Sequence, residues 1–206
     1  MATMKRRKKR RSKRQKLMQR IASTVVAAVI VLGVAALGIY LIWESRPQTT
    51  VTTIVVEHEA LIRRYAEERG LPPAFVAAVI MAESSYREDA VSSVNAQGLM
   101  QIMPDTGEWI AGKFSETCVE GSLFDAETNI RYGCWYLGYL LNRFDGDLRC
   151  VAAAYHQGQN RVDEWLDNPE YSTDGRTLEK IPSAATEKYV NRILKYYEEY
   201  EKIYQM

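Results

Sequence analysis

The chain has 206 residues with 27 basic and 26 acidic side chains, and its formal charge of +1 conceals a sharp division. Residues 5–20 hold eleven Lys or Arg and no acid, so the chain after residue 20 keeps 16 basic against 26 acidic residues, a net of −10. Two histidines and three cysteines, none of them in a CxxC pair, argue against a zinc centre, and no metal or other cofactor is expected.

Directly after the basic block runs IASTVVAAVIVLGVAALGIYLIW, residues 21–43, without a single charge. A helix of that length reaches about 34 Å, enough to cross a hydrocarbon core of about 30 Å. Tyr40 and Trp43 close the run, where amphipathic rings favour the lipid interface. A cleavable signal peptide has a shorter apolar region, about 7 to 15 residues, and ends in small residues. This run ends Ile-Trp-Glu-Ser-Arg, which reads as an uncleaved single-pass anchor.

The excess of cations before the run places the N-terminus in the cytoplasm and the remainder outside. The basic segment, residues 1–20, is therefore read as a topology signal with a secondary affinity for anionic lipid, and no nucleic-acid partner is expected. Residues 44–53, ESRPQTTVTT, read as a tether. Ten extended residues span at most about 35 Å, so whatever follows works close to the membrane.

Residues 54–206 have the size of one domain with a full core, and most of them read as helix. The spacing predicts a helix over 54–69, with Ile54, His58, Leu61, Ile62 and Tyr65 on one stripe and Gly70 as its stop. Leu-Pro-Pro then opens a second helix, Pro73 to Ser85, because proline in a first turn forfeits no needed hydrogen bond. Phe75, Val79 and Glu83 fall four apart on one face of it, flanked by Val76 and Ile80. A carboxyl at the end of an apolar stripe is partly desolvated, which raises its pKa and makes it a proton donor near neutral pH.

After a polar stretch over 87–97 comes Gly98-Leu99-Met100-Gln101-Ile102-Met103-Pro104, where Gly98 allows an unusual torsion or a close backbone approach. Further helices are expected over 125–144 with Asp125 as N-cap, 148–157, near 160–167, and 185–205. Gly133 and Gly138 suggest close helix contact, and 168–182 reads as a long loop near a cleft. No alternating strand pattern and no internal repeat is present. Cys118, Cys134 and Cys150 all follow the apolar run; one disulfide with one free thiol, or three buried thiols, both fit.

Four separated segments in order resemble the lysozyme-like lytic transglycosylases of the soluble, Slt type. Glu83-Ser84-Ser85-Tyr86 resembles the catalytic Glu-Ser-x-aromatic signature, and Ser92 through Pro104 is similar to Ser-x-x-Gly-Ala-x-Gly-Leu-Met-Gln-x-x-Pro. Asn129-Ile130, Gly133 and Tyr136-Leu137 resemble the helix that supports the cleft. Ala154-Tyr155-His156-Gln157-Gly158, then Val162 and Trp165, resemble Ala-Tyr-Asn-x-Gly followed by Val and Trp. Three positions depart from the pattern: Asn95 where Gly is usual, His156 where Asn is usual, and Ala185 where Glu commonly precedes Thr.

The resemblance implies a mainly α, lysozyme-like (goose-type) domain acting on peptidoglycan glycan strands. Glu83 protonates the glycosidic oxygen between MurNAc and GlcNAc, then takes the proton from the sugar's own 6-hydroxyl to leave a 1,6-anhydromuramyl end. The N-acetyl group replaces a protein nucleophile, whereas hydrolytic glycosidases generally need two carboxylates. Met100 and Gln101 are implied to line the sugar sites, with Gly98 beside them. Tyr155 and Tyr189 hydrogen-bond near the reacting centre or orient Glu83, Ser92 contacts the saccharide or supports the glutamate, and His156 is a polar group of the cleft or its packing. A hydrolytic muramidase of the same fold, with Asp89 or Asp105 as second carboxylate, and a non-catalytic peptidoglycan-binding module of the envelope are the alternatives; protein partners are left open.

Overall fold

The computed structural model describes residues 56–204. The basic segment, apolar span and tether expected over residues 1–53, and the start of the first helix at Ile54, lie outside the described residues. Among the described residues no helix is long and apolar enough to cross a membrane.

Among the described residues seven helices carry the architecture: α1 (Glu59–Glu67), α2 (Pro73–Glu83), α3 (Pro104–Lys113), α4 (Ala126–Arg143), α5 (Leu148–Gln157), α6 (Gln159–Leu166) and α7 (Ala184–Tyr204), with a short 3-10 turn at Ser122–Phe124 before α4. The centre is α2. Every residue from Ala74 to Ile80 is at most 3 % exposed, so the expected apolar stripe is in fact an apolar helix buried on all sides. Helix α7 packs along it, α5 packs on α7, and α1 bridges α2 and α4. Each large apolar side chain buried here, Phe75, Val76, Val79 or Ile80, contributes about 1.5–3 kcal/mol relative to exposure.

Local chemistry explains the boundaries. Proline occupies the first turns of α2 and α3. Asp125 caps α4 by accepting from the Thr128 amide at 2.8 Å, and Asp147 caps α5 by accepting from Cys150 at 2.7 Å. Gly70 adopts φ +67° after α1, a conformation open to glycine without strain.

Three expectations need correction. Helix α1 begins at Glu59, and His58 stands outside it at φ 57°, with Nε2 3.0 Å from Glu88 instead of on the apolar stripe. Helix α2 ends at Glu83, because Ser85 and Tyr86 turn left-handed at φ 54° and 63°. Helix α3 was not expected: Gly107 and Gly112 weaken its helical signal, and Gly107 is retained because a side chain there would press on Cys118 Sγ and Leu123 at 3.2 Å. The 168–182 loop docks on the start of α5, where Arg149 Nε donates to the Leu178 carbonyl at 2.9 Å.

The remaining helices match the expected positions within a residue or two. The closely packed glycines of α4 face non-helical neighbours: Gly133 lies under Met100, and Gly138 lies against Arg69 just past α1. The three cysteines are free thiols. Burial raises the pKa of the Cys134 thiol and pushes that of Cys150 up to about 12.

Candidate active site

Glu83 is the last residue of α2. Its side chain is half-buried, and desolvation raises its pKa above the usual carboxylate range. The negative end of the α2 macrodipole acts in the same direction. Opposing both, the Tyr189 hydroxyl of α7 donates to Glu83 Oε1, and the Arg192 guanidinium one turn further along α7 favours the charged form. Arg192 also lies 5.7 Å from the Tyr189 ring centroid. The carboxyl is thus disposed to hold a proton, with two groups ready to stabilise the carboxylate once the proton leaves.

The loop between α2 and α3 forms the neighbouring wall. Asn129, fully buried on α4, gathers it: Oδ1 accepts from the Met100 amide at 2.7 Å, while Nδ2 donates to the carbonyls of Gln97 at 2.9 Å and Leu123 at 2.7 Å. Gly98 sits in this clasp at φ +76°, and a Cβ there would fall 2.1 Å from the Leu123 carbonyl oxygen and 2.3 Å from Asn129 Nδ2. The close approach that requires glycine is therefore to the protein's own chain. Two isolated antiparallel bridges, Val91 with Gln97 and Gln97 with Ile102, tie the loop into a small β-like turn. Asn95 takes φ 67° there, the left-handed conformation that glycine would supply in the Slt pattern.

The site residues read from the sequence fall into three groups. Glu83, Tyr189 and His156 stand together: the His156 ring packs on Tyr189 at 4.5 Å between centroids, and its Nδ1 is 3.2 Å from Thr186 Oγ1. Desolvation lowers the His156 pKa, with the Arg192 charge acting in the same sense, so the ring is biased toward its neutral form. Tyr155 joins through the loop, donating its hydroxyl to the Met100 carbonyl at 2.7 Å. Burial and the charge of Glu83 raise the pKa of both Tyr155 and Tyr189 well above 10, so both remain hydrogen-bond donors.

Met100, Gly98 and Gln101 form the second group. The Met100 side chain is completely buried under Gly133, so what it offers toward Tyr155 is its backbone carbonyl. Gln101 Nε2 donates to the carbonyls of Gly98 at 2.9 Å and Ala90 at 3.1 Å, which braces the loop. Ser92 stands apart: its hydroxyl accepts from the amides of Val94 and Ala96 at 3.3 and 3.0 Å and stabilises the turn.

Three contributors escaped the sequence reading of the site: Asn129 as the clasp, Thr186 as the partner of His156, and Arg192 as the charge behind Tyr189. Thr186 is fully buried and also donates to Gln157 Oε1 at 3.0 Å. Asn129 stands in the segment that resembles the cleft-supporting helix, and Arg192, three residues beyond Tyr189 on one helix face, carried a signal readable by spacing. Asp89 and Asp105, the candidate second carboxylates, are exposed.

The transglycosylase SLT domain family matches residues 60–176. The chain is 32% identical over 166 residues to the soluble lytic murein transglycosylase of Escherichia coli strain K12, covering 75% of this chain and 26% of that protein. It is 32% identical over 118 residues to the membrane-bound lytic murein transglycosylase C of Serratia proteamaculans, covering 50% of this chain and 31% of the relative. Among solved structures, an inactive glutamate-to-glutamine mutant of lytic transglycosylase Slt from Pseudomonas aeruginosa matches with TM-score 0.65 and 31% identity, over 73% of this chain and 25% of that one. A soluble lytic transglycosylase in complex with bulgecin A matches with TM-score 0.64 and 30% identity, again over 73% and 25%. The chain thus spans about a quarter of the length of these longer relatives. With more than half of its residues matched and a helical fold shared with these structures, the protein belongs to the transglycosylase SLT domain family.

Proposed function

We propose that the protein is a peptidoglycan lytic transglycosylase in which Glu83 serves as acid and then as base. The observation that carries the reading is the half-buried Glu83 carboxyl, its pKa raised by desolvation, with Tyr189 donating to it. Glu83 gives its proton to the glycosidic oxygen between MurNAc and GlcNAc as the bond from that oxygen to the anomeric carbon breaks. Positive charge at the anomeric carbon is shared by the neighbouring N-acetyl carbonyl. The Glu83 carboxylate, now stabilised by Tyr189 and Arg192, removes the proton of the 6-hydroxyl, whose oxygen closes on the anomeric carbon. The product is a 1,6-anhydromuramyl end, water is not consumed, and Glu83 is again protonated.

Support comes also from the named activities of the relatives and from the glutamate-to-glutamine change in the inactive Pseudomonas aeruginosa protein. Residues 21–43 would anchor the enzyme with its N-terminus in the cytoplasm, residues 1–20 would bind anionic lipid, and residues 44–53 would tether the domain beside the wall. The uncharged run itself, and relatives described as membrane-bound, support that placement. The test is Glu83→Gln incubated with purified sacculi. Anhydromuropeptides are expected to disappear while the melting profile stays cooperative; if they persist, the assignment fails. Mass spectrometry of the wild-type products separates this reaction from hydrolysis, whose reducing ends are one water heavier.

A further inference from the structure

Trp109 on α3 is 40 % exposed, the largest apolar side chain left open on the described surface. It does not stand alone. Trp135, Tyr136 and Tyr139 of α4, all partly exposed, surround it at centroid distances of 5.1, 6.1 and 5.6 Å, each with its ring nearly perpendicular to the indole. Tyr139 is close to parallel with both Trp135 and Tyr136, at 5.8 and 6.3 Å. Tyr136 in turn lies 5.5 Å from Tyr155, whose hydroxyl meets the Met100 carbonyl and whose titration feels Glu83. A row of rings therefore leads from Tyr155, which is bonded to the loop beside Glu83, to the open indole.

A cluster serving only to pack α3 on α4 would bury its indole, as the core does with Trp165 at 7 % exposed. The polar setting is also that of a ligand surface. Lys113 Nζ is 5.3 Å from the Trp109 ring centroid. Trp135 and Tyr139 line a cavity of about 290 Å³ that also carries Arg69, Asn142 and the Glu68 carboxylate, just under the roughly 300–1,000 Å³ of ligand sites. Aromatic faces beside cationic and amide donors suit a sugar polymer bearing carboxylates: C–H faces meet the negative ring faces, while hydroxyl, acetamido and peptide carboxylate groups meet the polar rim.

We propose that Trp109, with Trp135 and Tyr139, forms an outer glycan platform that holds the peptidoglycan strand beyond the sugars at Glu83. The proposal rests on the glycan-cleaving reading above and names a second contact for the same strand. Continuity with Tyr155, bonded to the loop that walls the site, selects the glycan over a protein partner or a second copy of the chain.

The test uses the full chain carrying Glu83→Gln, with purified sacculi and soluble uncross-linked glycan strands as probes. Adding Trp109→Ala is expected to weaken cosedimentation with sacculi by at least about fivefold, the loss typical of removing an aromatic anchor, and Trp109→Phe to restore part of it. With Glu83 intact, Trp109→Ala should raise KM for long strands more than it lowers kcat. Against misfolding of the alanine variant stands a measurement on the parent: soluble strands should shift the indole N–H resonances of Trp109 and Trp135. Unshifted indole signals with unchanged affinity would overturn the platform, as would a monomer–dimer change without a change in glycan affinity. If instead Glu83→Gln still forms anhydro ends, the catalytic reading itself fails, so the two failures are separable.

Discussion

Tyr189→Phe isolates one hydroxyl at the proposed reacting centre. The ring is 5 % exposed and packs on His156, and phenylalanine keeps that shape while removing only the donor to Glu83 Oε1. That bond opposes the desolvation that raises the Glu83 pKa, so its loss raises the pKa further. A hydrogen bond to a charged group is worth about 1.5–3 kcal/mol, and its loss leaves only Arg192 to favour the carboxylate against desolvation. In the proposed reaction Glu83 must be protonated to act as acid, so kcat/KM is expected to fall on the alkaline side as it ionises. The substitution therefore moves that limb to higher pH. It also lowers the plateau by roughly tenfold, because the carboxylate formed at the transition state loses a donor worth about 1.4 kcal/mol or more. The assay is release of anhydromuropeptides from sacculi across a pH series, with thermal unfolding as control. A limb that stays fixed or moves to lower pH would refute the role given to this hydroxyl.

Three further outcomes follow from the same geometry. A raised folded pKa means that Glu83 stabilises the fold most in its protonated form, and that contribution is lost as pH rises from the ordinary carboxylate value through the folded one; Glu83→Gln should be inactive yet at least as stable as the parent at neutral pH, and a clearly lower denaturation midpoint would contradict this. Gly98→Ala places a methyl 2.1 Å from the Leu123 backbone oxygen at φ +76°, so it should cost more than about 2 kcal/mol in denaturant unfolding. Gly133→Ala, which meets the movable Met100 Sδ at the same distance, should cost less, and equal losses would argue against the backbone clasp. Asn129→Ala strands the Met100 amide and the Leu123 carbonyl in the interior, while the Gln97 carbonyl keeps its bond from the Ile102 amide. It should destabilise by roughly 3 kcal/mol or more and depress activity through the loss of Tyr155 placement, whereas retention of full activity in the folded variant would dissociate the clasp from the site.

Most helices were legible because their signals are local. Asp125 and Asp147 at N-caps, the Pro-Pro entry to α2 and the glycine after α1 each act over three or four residues. Helix α3 escaped because two glycines dilute its pattern, and it persists in the fold because Ile110 and Ala111 are buried by residues far away in sequence. His58 was misplaced for the opposite reason. Its spacing fits the stripe, but a left-handed turn and the contact with Glu88 remove it.

By itself the sequence singled out Glu83 as the candidate acid, the order of the four segments that resemble the Slt family, and a carboxyl set at the end of an apolar helix. It also located the uncharged run at 21–43 between a basic segment and an acidic remainder. Tertiary structure alone decided what surrounds that carboxyl. Tyr189 lies 106 residues from Glu83, and Asn129 lies 29 residues from the Met100 amide it holds. Such pairings depend on how α7 and α4 pack around α2, not on any local period. The pKa of Glu83 is therefore a property of the packed helices: burial comes from side chains distant in the chain, and the opposing hydrogen bond and charge come from one turn of α7.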